Sequence, residues 1–262
     1  MGTDRQIKAV CRKKRASFLI FNRKKYDLPF AYDLNSTTLK SFGFNSNPSS
    51  IIIDQNFVIR HKQIGVKNIT VLHAKNRHVA DSDSFVAPLL NAKGVWFGGG
   101  RQWRLVDAYK DTKTEKMFRE VLKKGGVIGG SSSGATIQGS YLARGDTKNN
   151  QIMTGDHEEG FGYIQNIAID QHALARNRQF DMFDILKKRP ELLGISIDEK
   201  TAIIVKGSIF EVIGQSYVIV YDGSFWSREG WDKKNLPAKD NLFYFLREGD
   251  KYDMLKREVT EN

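Results

Sequence analysis

Cysteine is nearly missing from this chain: Cys11 is the single one in 262 residues, so no disulfide can form within it. That accords with a reducing, cytoplasmic setting. Long hydrophobic runs are missing too. No apolar stretch reaches the roughly 18 residues that span a bilayer, and the N-terminus lacks the apolar core of a secretory signal, so no membrane partner is expected. Neither Gly-x-Gly-x-x-Gly nor Walker spacing occurs, and there is no zinc-finger spacing, RNA-binding aromatic motif, internal repeat or linker. Asp156-His157-Glu158-Glu159 carries metal-ligating residue types. No second His/Cys cluster completes a shell around it, so it reads as a polar loop. No metal, no organic cofactor and no nucleic-acid partner are expected.

What the chain does have is positive charge, a formal +11, unevenly spread. Nine Lys/Arg stand in the first thirty positions against Asp4 and Asp27, and elsewhere the charges nearly balance. A local excess of this kind reads as a solvated basic face rather than a nucleic-acid footprint. The apolar run Phe18-Leu19-Ile20-Phe21 that follows reads as a core strand. With 40% hydrophobic residues the chain can bury a large core, and one domain spanning 1–262 is expected.

The pattern alternates strand and helix, as a parallel α/β sheet requires. Runs 51–53, 69–72, 95–97, 126–128, 167–172 and 193–197 read as strands. Residues 83–91 (despite Pro88), 102–109, 115–124, 136–142 and 180–186 read as helices, the 115–124 stretch with Met117, Phe118, Val121 and Leu122 on one side. Beyond Thr201 the pattern changes to short strands at 202–206, 209–213, 217–221 and 242–246, as in antiparallel hairpins.

Chemistry concentrates in Gly129-Gly130-Ser131-Ser132-Ser133-Gly134-Ala135. Within it, residues 130–134 fit Gly-x-Ser-x-Gly, the nucleophile elbow, with Ser132 at its centre. A turn tight enough to lift a hydroxyl off a strand needs small neighbours, and the helix start that follows offers unpaired N–H groups to an oxyanion. Of five histidines, His172 ends a strand-like run, where parallel-sheet enzymes place reactive side chains. Asp170 lies two residues before it, on the same side of an extended chain. Asp198 and Glu199 end the next apolar strand. Any of these three carboxylates could orient the imidazole, and spacing does not choose among them.

Four blocks together resemble one family, the serine peptidases that include cyanophycinase and peptidase E. They are Trp96-Phe97-Gly98-Gly99-Gly100-Arg101-Gln102, the elbow, Asp170-Gln171-His172 with Arg176 and Arg178, and Gly194 through Ala202. They fall in the family's order, and the likeness is closer to the cyanophycinase branch. The resemblance implies a three-layer α/β/α sandwich with a mostly parallel sheet, related to the class I glutamine amidotransferases. It implies Ser132 as nucleophile, His172 as general base and Glu199 as acid. The oxyanion hole would use the N–H of Ser133 with one from Gly99 or Gly100. Gln102, Gln171, Arg176 and Arg178 would line the substrate pocket, Arg being suited to bidentate capture of a carboxylate. The expected partner is a peptide or polymer with aspartyl or β-aspartyl units, cleaved through an acyl-enzyme, in a chain that could pair as a homodimer.

The chain also departs from that pattern. The family's Gly-Gly-Asp-Gln is Gly99-Gly100-Arg101-Gln102 here, an arginine expected three residues beyond Arg178 is Asp181, and the alanine after the nucleophile is Ser133. The first two alter charge where the substrate's charged groups would sit. Relatives open on an apolar strand leading into a glycine-rich turn, whereas this chain begins Met1-Gly2-Thr3-Asp4, as though at that turn. Residues 1–35 thus form an atypical basic segment, and either the start lies upstream or the first strand is missing. The competing readings are a silent binding module engaging an acidic partner and a serine hydrolase of unrelated amides or esters.

Overall fold

Strand β1 (Ser17–Asn22) and strand β2 (Ser49–Ile53) enter a nine-stranded sheet, and the apolar run at 18–21 is the centre of β1. The structure, a computed structural model, describes residues 17–22, 49–53, 68–231 and 235–260. What the sequence suggests for the remainder of 1–35, including the question of a missing first strand, lies outside the described residues.

Strand β3 (Asn68–Leu72) leads to two single-turn helices, α1 (Arg77–Ala80) and α2 (Asp83–Val86). The stretch read as one helix over 83–91 is therefore split: α2 gives way to a 3-10 turn over Ala87–Asn91 with Pro88 at its start. Proline has no N–H for the α-helical ladder and its ring crowds the carbonyl one turn back. Strand β4 (Gly94–Phe97), helix α3 (Gln102–Tyr109), helix α4 (Lys113–Lys123) and strand β5 (Val127–Ser131) follow. Helix α4 starts where Thr112 caps the N–H of Glu115, while the Glu115 carboxylate takes the N–H of Asp111 at 2.7 Å. Its Phe118, Val121 and Leu122 are buried at helical spacing against the sheet. Every residue of β4 and of β5 is buried, as expected of parallel strands covered on both faces.

After β5 comes a one-turn helix α5 (Ser133–Thr136) and then strand β6 (Gly139–Tyr141). The helix expected over 136–142 is thus corrected to a strand. In a continuing α-helix the Gly134 carbonyl would accept from the N–H of residue 138. Here the Gln138 side chain takes that carbonyl at 2.9 Å, and the chain extends to pair with the next strand. That strand is β7 (Ile164–Gln171), followed by helix α6 (Met182–Lys188), β8 (Leu193–Ile197) and β9 (Thr201–Lys206). The hairpins read beyond Thr201 are present. Strand β10 (Ile209–Gly214) returns on β9 through a two-residue turn in which Gly207 has φ 64°. Strands β11 (Val218–Tyr221), β12 (Tyr244–Leu246), β13 (Lys251–Asp253) and β14 (Glu258–Thr260) complete the antiparallel margins.

The strands form two sheets, β14-β13-β10-β9-β1-β5-β4-β2-β3 and β12-β11-β8-β7-β6. In the first, every pairing from β9 to β3 is parallel except β1 with β5. In the second, β6, β7 and β8 run parallel. One buried cluster takes Val95 and Ile128 from the first sheet, Phe118 from α4, and Ile167 and Ile195 from the second. The sheets therefore share a core, and the carboxyl ends of β4, β5, β7 and β8 carry the residues singled out above.

Candidate active site

Ser132 leaves β5 with φ 56° and ψ −121°, a strained backbone that only a tightly determined turn maintains. The flanking glycines are required by contact. A Cβ on Gly130 would lie 2.1 Å from the Gly134 carbonyl oxygen, and one on Gly134 would lie 2.1 Å from that of Phe97. The Gly-x-Ser-x-Gly spacing is the condition for α5 to pack directly on β4 and β5. Gly134→Ala is accordingly expected to cost about 3 kcal/mol or more, read as a fall in the urea midpoint; an unchanged midpoint would contradict this packing.

The elbow aims Ser132 at the second sheet. Its Oγ lies 2.9 Å from His172 Nε2, and His172 Nδ1 lies 3.0 Å from Glu199 Oε1. His172 follows the last residue of β7 and Glu199 sits between β8 and β9, so the three residues meet at the carboxyl ends of strands. His172 and Lys200 both have left-handed φ, 58° and 59°, which turns the chain sharply just where each side chain is presented. Burial and the nearby Arg176 charge hold the imidazole below its usual pKa, while Glu199 pulls the other way. The net direction favours a neutral ring.

The other two carboxylates are engaged elsewhere. Asp198 Oδ1 accepts from the N–H groups of Leu174 and Ala175 at 3.0 and 2.9 Å, and its Oδ2 from Ser216 Oγ at 2.5 Å. It ties down the loop that follows His172. Asp170 is fully buried and takes a two-pronged contact from Arg144, Nε to Oδ1 and Nη2 to Oδ2, both at 2.8 Å. Arg144, a residue that no sequence motif singles out, also reaches Asp181 Oδ2 at 2.6 Å. The carboxylate at 181 is thus met by a cation from another segment. The Arg101 guanidinium donates to the Asp146 carbonyl, which holds it against the segment between β6 and β7.

Gly99 lies against Ser132: a Cβ there would stand 3.3 Å from Ser132 Cβ and 3.8 Å from its Oγ. Gly100, with φ 145°, carries the chain on into α3. Ser133 is buried, and its hydroxyl has no partner among the described residues. Gln102 is wholly buried with neither amide atom bonded among them, and Gln171 is buried with its Oε1 likewise unpartnered. Buried amides left open in this way are uncommon. Arg178 is buried and Arg176 exposed, and the Arg176 N–H donates to the His172 carbonyl at 3.0 Å.

The polar segment at 156–159 is structural. His157 bridges Asp107 and Asp156 at 2.9 and 3.0 Å, Glu158 accepts from Tyr141 at 3.2 Å, and Glu159 pairs with Lys110. No helix among the described residues is long and apolar enough to cross a membrane.

The chain is similar to known cyanophycinases and to a solved peptidase. A cyanophycinase of Geminocystis herdmanii is 30% identical over 214 residues, 77% of each chain. One of a Nostoc species is 26% identical over 79% of this chain and 72% of its own. The crystal structure of a peptidase from an acI-B1 Actinobacterium superposes with a TM-score of 0.52 at 23% identity, over 71% of this chain and 69% of that one, which shows the shared fold. The fold is accordingly the α/β architecture related to class I glutamine amidotransferases. The model of peptidase family S51 matches residues 53–213, from the end of β2 through the elbow and the carboxyl ends of β7 and β8 into β10, and the chain belongs to that family of serine-type peptidases.

Proposed function

We propose that this peptidase hydrolyses aspartyl or β-aspartyl amide bonds, in a cyanophycin-like polymer or β-Asp-Arg-type peptides, with Ser132, His172 and Glu199 as its triad. The observation that carries the reading is the continuous line from Ser132 Oγ through the imidazole to Glu199, at 2.9 and 3.0 Å. His172 Nε2 takes the Ser132 proton as Oγ attacks the amide carbonyl. Glu199 accepts from Nδ1–H and steadies the imidazolium. The N–H of Ser133, with one from Gly99 or Gly100, receives the oxyanion, each donor being worth about 3 kcal/mol in the transition state. His172 then passes its proton to the leaving nitrogen. Water, activated by the same imidazole, adds to the acyl-enzyme carbonyl and releases Ser132.

Substrate class is read from the relatives, two of which are cyanophycinases, together with the pocket residues. Arg178 and Arg176 offer guanidinium groups to a carboxylate, and the Gln102 amide and Gln171 Oε1, unpartnered among the described residues, offer neutral hydrogen-bonding groups. The test is mass spectrometry after a fluorophosphonate probe, run beside digestion of a β-Asp-Arg polymer. A covalent adduct on Ser132 with release of β-Asp-Arg supports the reading. An adduct without digestion overturns the substrate, and no adduct on folded protein overturns the nucleophile.

A pH dependence follows from the base. His172 works in its neutral form, which is lost on acidification, and its pKa lies below the usual 6.5 because burial disfavours the charged ring. The value of kcat/KM is therefore expected to hold through neutral pH and to fall only as pH drops below that usual value. Glu199→Gln removes a charge that raises the pKa, so the acid limb should move lower still while kcat falls. A pH–rate profile of both forms checks this; a limb that rises in the variant would sink the assignment of Glu199.

A further inference from the structure

Arg144 belongs to neither the strands nor the resemblance, yet no part of its side chain is exposed. It stands in the segment between β6 and β7 with φ 60°. Besides its contacts to Asp170 and Asp181, its Nη1 donates to the Asn150 carbonyl at 3.0 Å. One guanidinium thus occupies two carboxylates and a carbonyl, close to its full donor capacity.

Its neighbour Arg178 is in the opposite condition. Arg178 is 5% exposed and feels the charges of Arg144, Asp170, Arg176 and Asp181. Among the described residues its guanidinium nevertheless makes one hydrogen bond, a long one of 3.4 Å to the Gln171 carbonyl, and no carboxylate pairs with it. The guanidinium keeps only a small exposed portion and most of its donors are unpaired within the fold, so it is poised to take a carboxylate. The carboxylates that would otherwise pair with it are the two already held by Arg144.

We infer that Arg144 is a positioning residue: by sequestering Asp170 and Asp181 it keeps the Arg178 guanidinium open for an anionic group of the substrate. This rests on the aspartyl pocket proposed for this peptidase and adds to it the device that sets the pocket's charge. It also accounts for the carboxylate at 181. An acid there, without a cation from elsewhere, would close on Arg178 as a two-pronged pair and block the carboxylate site. Arg144 neutralises it from a segment 37 residues away in sequence.

The test uses Arg144→Lys, because an ammonium is a point charge that cannot reproduce the fork to Asp170 and reach Asp181 as well. One carboxylate is then released to Arg178. On a β-Asp-Arg oligomer, KM is expected to rise roughly 10- to 100-fold, the worth of one charged hydrogen-bonded contact, with kcat little changed. A triple variant, Arg144→Met with Asp170→Asn and Asp181→Asn, has no carboxylate left to compete, and removing an ion cluster as a unit is tolerated far better than breaking it. Its KM should return toward that of the parent, a recovery that a merely structural role for Arg144 would not give. If the triple variant stays as impaired as Arg144→Lys, the proposal is overturned. A crystal structure of Arg144→Lys decides independently of turnover: Arg178 paired with Asp170 or Asp181 supports it, and Arg178 unmoved refutes it. Arg178→Met serves as the control on the pocket itself. An unchanged KM there would remove the substrate reading, while the crystal structure of Arg144→Lys would still decide the role of Arg144.

Discussion

Ser132→Ala is expected to lower kcat by about 10^4- to 10^6-fold while leaving the protein folded. In the proposed mechanism the loss is large because the hydroxyl is the atom that forms the bond to substrate, and the imidazole and Glu199 act only through it. His172→Ala should cost nearly as much, and the double variant little more than either single one, since members of a triad fail as a unit. Folding should survive because no hydrogen bond other than that to His172 depends on the Ser132 side chain among the described residues. The turn itself is held by the close approaches at Gly130 and Gly134. Single-turnover rates and a thermal melt of the purified variant test both halves. A variant within about a hundredfold of the parent would place the nucleophile elsewhere.

Asp170→Ala is expected to act on the other axis, costing about 3 to 5 kcal/mol of stability. The substitution leaves the buried Arg144 guanidinium with Asp181 as its one carboxylate partner and deletes two charged contacts at 2.8 Å. Breaking one side of a buried ion pair is far more damaging than never having built it, because the remaining charge has lost its compensation without regaining water. The distinction from Glu199 is sharp. Loss of Glu199 should leave the urea midpoint nearly where it was and depress turnover, whereas loss of Asp170 should lower the midpoint first. If Asp170→Ala proved as stable as the parent but catalytically dead, the carboxylate serving His172 would have been misassigned.

That distinction marks where the sequence stopped being legible. The elbow could be read directly, because its glycines answer a steric demand that is local in the chain. Strand ends at 172 and 199 could be read as well, since buried parallel strands are continuous apolar runs with polar residues at their exits. The choice between Asp170 and Glu199 could not be read from spacing, because the residue that occupies Asp170 lies 26 positions away in an aperiodic segment. Arg144 has no motif around it, and only the fold brings it to Asp170 and Asp181. The stretch at 136–142 misled for another reason: a short apolar run is compatible with either period. A side-chain amide capping the Gly134 carbonyl decided for strand. The antiparallel margin beyond Thr201 was plain because turn glycines punctuate it.

Ser132 rides on the larger sheet, His172 on the smaller one, and Glu199 on the three-residue link that carries the chain from the smaller sheet back to the larger. Neither sheet alone holds all three residues of the proposed triad. During refolding, strands can pair and helices form within each sheet before hydrolysis becomes possible, because the distances of 2.9 and 3.0 Å exist only once the two are seated together. Recovered turnover is then a clock for the last event in assembly, and it should lag behind any spectroscopic signal that reports secondary structure alone.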